Sequence, residues 1–325
     1  MIGRREFLTL LSGAAMMLPA VADAAETFPS RPIRLIVPYP PGGGTDIIAR
    51  VLGEKLRGSL GQPVVIDNRG GAGGVLGTEL AAKAAPDGHT LLLVPTSHVI
   101  NPGVYPKLPY DTAKDFAPIT MVASSATLMA ANLAVPADTV RGFVEAAKAR
   151  PQALANFGTA GVGTVFHLTG ELFNQLSGLK LQHVPYRGGG PVVTALLAGE
   201  IPLAFETLLT LQSHVRAGTV RALAITSPRR SPQLPDVPTT AEAGFPRLLA
   251  DNSYALFAPA RTPAPILAQV HDAAVGALAL PDVRDRVHEQ GAEVIGSSSA
   301  ELAAYVATEI PKWTALARQA GVKAE

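Results

Sequence analysis

The chain has no cysteine. That removes thiolate nucleophiles, cysteine-ligated zinc and iron–sulfur clusters, and any core must hold together without disulfides. It also has almost no excess charge, with 27 Lys and Arg against 26 Asp and Glu. A balance this even gives no electrostatic case for nucleic acid or an anionic membrane surface as a partner. Beyond the N-terminal segment no apolar run approaches the ~20 residues that cross a bilayer, so the rest of the chain is not expected to span one. The short motifs of several enzyme classes are missing too: no G-x-x-x-x-G-K-[ST], no G-x-G-x-x-G with a following acid, no G-x-S-x-G and no H-E-x-x-H. His89, His98, His167, His183 and His214 show no metal-ligand spacing and read as structural or surface histidines. No catalytic residue, metal or cofactor is therefore assigned.

What is present begins with a basic start, Arg4-Arg5, followed by an apolar stretch from Leu8 to about Val21. The small residues Ala20, Ala22, Ala24 and Ala25 come next. This is the pattern of an export signal over residues 1–24, and the paired arginines before Phe7-Leu8 point to the twin-arginine route. The working protein is expected in the periplasm.

Along the remaining chain short β-branched runs alternate with segments of helical period. Ile33–Val37, Val64–Ile66, Leu91–Val94, Gln182–Tyr186, Leu203–Phe205 and Val220–Thr226 read as strands. Thr45–Leu60, Val75–Ala85, Thr139–Arg150, Thr164–Ser177, Pro191–Ala198, Pro265–Leu278 and Ala300–Ala317 read as helices. The alternation predicts α/β with mainly parallel sheets flanked by helices. Two apolar stretches, Met121–Asn132 and Asp251–Pro259, read as strands crossing between two lobes. Residues 25–122 and 252–325 would then form one lobe and residues 123–251 the other, with a hinge that can close on a ligand.

Three strand-to-helix turns are rich in glycine, and they span Pro38–Asp46, Gly158–Thr164 and Pro185–Pro191. Glycine lets backbone approach a ligand closely, and a helix N-terminus offers free N–H groups and a partial positive charge to an anion. At the carboxyl ends of strands in an open sheet, such turns sit where ligands bind. The three are expected to face one cleft that takes a small anion. Asp46 allows two readings: it complements its own helix dipole, or it reads an amine or hydroxyl of the ligand. Arg187 likewise either pairs with a carboxylate or braces its surroundings.

These blocks, together with others, resemble the Bug receptors, the periplasmic binding proteins of tripartite tricarboxylate transport systems. The resemblance is carried by RPIRLIVPYPPGGGTD (Arg31–Asp46), GQPVVIDNRGGAGG (Gly61–Gly74), AAPDGHTLL (Ala84–Leu92) and LPYDTAKDFAPI (Leu108–Ile119). It continues through GTVFHLTGELF (Gly163–Phe173), HVPYRGGGP (His183–Pro191), RSPQLPDVPTTAEAGFP (Arg230–Pro246) and LFAPARTP (Leu256–Pro263). It implies a two-lobed type II periplasmic-binding-protein fold, a monomer, holding a small carboxylate largely through main-chain amides at the turns. The partners implied are inner-membrane transporter subunits or a sensor kinase. The site it implies comprises Tyr39, Pro41, Gly42, Gly43, Thr45 and Asp46 from the first turn, and Thr159, Gly161, Gly163 and Thr164 from the second. Arg187 and Gly188 come from the third turn, and Glu206 from the strand beyond it. Three positions depart from the family pattern. Glu206 stands where Asp is usual and reaches further into the cleft. Ser213 replaces a Pro and frees a turn. Ser253, beside Tyr254, replaces a Trp and would open space in the cleft. An envelope enzyme using Asp46 or Glu206 as base is the competing reading.

Overall fold

The computed structural model describes residues 28–324. The export segment at residues 1–24 lies outside them. The first run of elements is β1 (Ile33–Val37), α1 (Gly44–Leu60), β2 (Val64–Asn68), α2 (Val75–Ala82), β3 (Thr90–Pro95) and α3 (Ser97–Val104). The long strand β4 (Phe116–Ala131) follows. It leads to α4 (Val140–Ala149), β5 (Asn156–Thr159), α5 (Val165–Ser177), β6 (Gln182–Pro185), α6 (Gly189–Ala198), β7 (Leu203–Thr207), α7 (Leu208–Arg216) and β8 (Arg221–Ile225). The chain returns along β9 (Asp251–Pro259) and ends with α8 (Ala264–Ala279), α9 (Pro281–Glu289), β10 (Glu293–Val294) and α10 (Ser299–Gln319). Among the described residues no single helix is long and apolar enough to cross a membrane.

Local sequence explains the main elements. In α1, Ile48, Leu52, Leu56 and Leu60 recur every fourth residue and are all buried, and Gly61 ends the helix in the left-handed conformation. Each such side chain contributes roughly 1.5–3 kcal/mol by leaving water. In β7 the residues alternate: Leu203 and Phe205 enter one core, Ala204 another. Phe205 is fixed there by Phe157 at 5.6 Å and Phe173 at 5.8 Å.

The strands run in the order β2-β1-β3-β9-β4-β7-β5-β6, with β8 and β10 both pairing β4. Pairing is parallel within each outer part, β1 with β2 and β3, and β5 with β6 and β7. The two crossing strands run antiparallel to their neighbours. β4 joins the two half-sheets: residues up to Ala126 pair with β9, and from Thr127 onward its partners are β7 and β8. Ala126 lies opposite Asp251, so the two crossovers are side by side. Thr226 ties them together, its Oγ1 donating to Ala250 O (2.6 Å) and standing 3.1 Å from Thr127 O.

The short elements β5, α3, α7, α9 and β10 are not read from the sequence. β5 has only four residues, and a Cβ on Gly158 within it would force the Ile201 side chain to shift. α3 contains Pro102. α7 mixes polar and apolar residues, and α9 is short and strongly polar. Ser213, read as a freed turn, is instead an exposed residue in the middle of α7.

Candidate functional site

The three glycine-rich turns do reach one region, but they are not equivalent. Gly42 turns the chain at φ +87° and Gly43 then precedes α1 without a side chain to cap it. Gly188, at φ +105°, does the same for α6. The opening N–H groups of both helices are left without an intrahelical acceptor. A Cβ built on Gly43 would lie 3.7 Å from Gly189 N, so these two helix starts face each other from opposite half-sheets. The second turn differs. Gly161 and Gly163 take positive φ, but Thr164 caps α5 by accepting from His167 N (3.3 Å).

Between the turns lies a buried cavity of about 30 Å³. That is room for about two or three waters, at ~10–15 Å³ each. Of the residues predicted from sequence, Tyr39, Gly43, Thr45, Thr164 and Glu206 line it. The turns shut over it. A Cβ on Gly188 would be 3.1 Å from Pro40 Cδ, and one on Gly73 would be 2.5 Å from Val162 O. Tyr39 helps hold the closed edge, donating from Oη to Gly73 O (3.0 Å) and sharing a hydrogen bond with Ser97 Oγ (2.9 Å). Burial pushes its phenol well above the usual tyrosine value.

Sequence reasoning missed several lining residues. Pro95 ends β3, Ser97 opens α3, Thr207 ends β7 and Asn252 starts just inside β9. Their signal was positional, since three of the four lie at or just past the carboxyl end of a strand. Gly44 and Gly189 also line the cavity, as the first residues of the two uncapped helices.

Other predicted residues brace the turns and do not line the cavity. The Asp46 carboxylate accepts from Gly42 N (3.0 Å), Arg50 Nε (2.9 Å) and Nη2 (3.0 Å), and Asn68 Nδ2 (3.1 Å). Burial alone would raise its pKa, but the bonds from Arg50, Gly42 and Asn68 outweigh it and hold the carboxyl below the usual range. Both oxygens are engaged, which supports the bracing reading of Asp46 over contact with a ligand. Thr159 is wholly buried and its Oγ1 meets His183 Nε2 at 2.6 Å. Arg187 is exposed and makes no hydrogen bond or ion pair with any described residue. The space expected at Ser253 does not open into this cavity. Ser253 faces the other side of β9, beside Tyr305 and a void of only about 10 Å³, while Asn252 lines the cavity.

Among the described residues Glu206 is the one carboxylic acid of the cavity wall, and it is 2% exposed. Its Oε1 accepts from Thr207 N (2.9 Å), and its Oε2 has no partner. Burial pushes its pKa up to about 8, and the Thr207 N–H offsets only part of this. Among the described residues no Lys, Arg or His lines the cavity. Nearby, His167 and His183 stack at 3.7 Å, and burial pushes them down to about 4 and about 3. They are neutral packing groups. Among the described residues no His, Asp or Glu cluster could hold a metal ion.

A sheet crossed twice between halves, with helix starts meeting over a cavity, is the architecture of the periplasmic binding proteins, and comparison with known proteins agrees. Residues 48–322 match the model of the tripartite tricarboxylate transporter family receptor. Protein BugT of Bordetella pertussis is 39% identical over 306 residues, covering 94% of each chain. MatC from Rhodopseudomonas palustris, solved with bound malate, superposes with a TM-score of 0.85 at 35% identity, over 89% of this chain and 99% of that one. A second R. palustris protein, solved with adipate, gives 0.87 at 32% identity, over 91% and 99%. The chain belongs to the tripartite tricarboxylate transporter receptor family, the Bug receptors.

Proposed function

We propose that this protein is a periplasmic receptor that captures a small carboxylate between two lobes and delivers it to inner-membrane transporter subunits. Residues 25–122 with 252–325 would form one lobe and residues 123–251 the other, and the adjacent crossings in β4 and β9 would be the hinge. The observation that carries this reading is the pair of uncapped helix starts, α1 and α6, facing each other over a buried cavity. Each places free N–H groups and a partial positive charge toward the same space, which suits an anion and needs no arginine or lysine. Relatives solved with malate and adipate support a carboxylate as the ligand class. The cavity is closed down to the size of waters, so a dicarboxylate enters as the lobes part, a motion expected of such hinges. Arg4-Arg5 supports export by the twin-arginine route.

The test is thermal melting against a panel of di- and tricarboxylates, aromatic acids and acidic amino acids. An acid present at 100 times its Kd should stabilise the folded protein by ~2.7 kcal/mol. If no acid in the panel raises the melting temperature, the receptor reading is wrong.

A further inference from the structure

The cavity contains an acid that the anion-binding reading leaves unexplained. A carboxylate receptor should exclude a negative charge from its wall, yet Glu206 stands in it. Its surroundings show how this is possible. Thr207 N–H occupies Oε1, which leaves Oε2 to carry a proton. A Cβ on Gly189 would lie 3.1 Å from Glu206 Cδ, so the start of α6 passes directly over the carboxyl. Tyr254, wholly buried in β9, lies beneath the start of α1, where a Cβ on Gly44 would collide with its Oη. Thr207 and Asn252 are its polar neighbours, and Tyr254 itself does not line the cavity. The ionisable groups that interact with Glu206 are therefore Tyr39 and Tyr254, both neutral, and no cation compensates it.

We propose that Glu206 is a specificity-determining residue that presents a neutral O–H donor to an acceptor oxygen of the bound acid. The inference rests on the receptor reading and adds a selection rule to it. A buried carboxyl oxygen without a partner in the cavity wall marks an unmet hydrogen-bonding demand, because buried polar groups are seldom left unpaired. The neutral carboxyl is a donor. The two helix starts beside the cavity carry positive partial charge, which favours an anion and opposes an ammonium. This end of the ligand is thus a carboxylate or carbonyl, and an acid bearing an amine there is disfavoured. Burial, which holds the Glu206 carboxyl near about 8, keeps the donor in place at neutral pH.

Calorimetry with L-malate, adipate and L-aspartate, at pH 7 and pH 9, tests this. L-aspartate differs from malate by an amine in place of the hydroxyl. The inference expects malate or adipate to bind without releasing a proton at pH 7 and to weaken about tenfold by pH 9, as the donor is lost. Glu206→Gln keeps a donor and removes the titration, so its affinity should stay within about threefold of wild type at pH 7 and remain flat to pH 9. Wild-type affinity that is flat with pH, or aspartate bound more tightly than malate with release of one proton, overturns the inference while leaving a receptor. If none of the three acids binds, the acid panel decides the receptor reading separately. The pH dependence of melting in wild type against Glu206→Gln still reports whether the buried acid keeps its proton, and its absence overturns the inference.

Discussion

The turns before α5 and before α6 read alike in sequence, glycine-rich and leading from strand to helix, but the molecule uses them in opposite ways. Before α5, Thr164 gives its side chain to His167 N and closes the helix start from within. Before α6, and again before α1, the capping position is glycine, which has no side chain to cap the helix. An N-cap threonine stabilises its helix by about 1 kcal/mol over an uncapped end, and the glycine positions forgo part of that. The first N–H groups they leave open are the ones a bound anion can use. One residue therefore separates a helix start closed by its own threonine from one whose first N–H groups stay open. The same contrast holds between the acids of the two regions. Asp46, beside α1, is saturated by four donors and charged. Glu206, beside α6, has one donor and an orphan oxygen.

The largest expected effect separates these two acids by pH. Glu206 titrates near its ordinary 4.5 when unfolded and at about 8 when folded. Between those values the folded state keeps a proton that the unfolded state has lost, so stability falls as pH rises, by ~1.4 kcal/mol per unit. The favourable contribution is complete below the unfolded value and is gone above about 8. Glu206→Gln cannot titrate. Its stability relative to wild type should therefore grow by about 3 kcal/mol between pH 5 and pH 7 in urea unfolding. A constant difference across that range would show that Glu206 is charged in the folded protein and that the contrast with Asp46 is false.

A smaller effect follows from exchanging the caps. Gly43 has φ −88° and ψ 168°, which any residue adopts, and a Cβ there meets nothing closer than 3.7 Å. Gly43→Ser should cap α1 from within, raise stability by a few tenths of a kcal/mol and weaken acid binding about tenfold by taking an N–H from the ligand. Thr164→Gly should do the reverse at α5, costing a few tenths of a kcal/mol while moving affinity less than about twofold. Equal losses of affinity in the two variants would mean that all three turns hold the ligand alike.

Much of this architecture is legible in the amino-acid sequence. The β-branched runs and the fourfold spacing in α1 mark their elements because burial of one face imposes a period on the sequence. The two crossing strands show as apolar stretches, since both faces of β4 and most of β9 are buried. What is not legible has physical causes. β5 is too short for a period, and α7 is a short helix whose buried face carries Gln212 beside its leucines. At the site the glycine turns are visible. Ser97, Thr207 and Asn252 are not, because they reach the cavity only through the pairing of distant strands. Asp46 and Arg187 cannot be placed from residue type alone. A carboxylate in the first turn of a helix looks the same whether its partner is Arg50 or a ligand.

Arg187 offers the finest test of the contrast, because its charge is the one feature of the third turn that main-chain binding does not need. It stands next to Gly188, the uncapped start of α6, yet it is exposed and has no partner among the described residues. A cation in that position raises the local potential around the cleft and speeds the arrival of an anion without touching it. Arg187→Gln should therefore slow association by about two- to threefold at low salt and leave dissociation unchanged. The difference should disappear near 1 M salt, where the screening length shrinks to about 3 Å. Stopped-flow binding of malate at two salt concentrations reads both rates. If the variant instead loses more than about tenfold in affinity, mainly through faster dissociation and persisting at high salt, Arg187 pairs with the carboxylate directly. The cleft would then hold its anion by a side-chain cation from one half-sheet and by main-chain amides from the other.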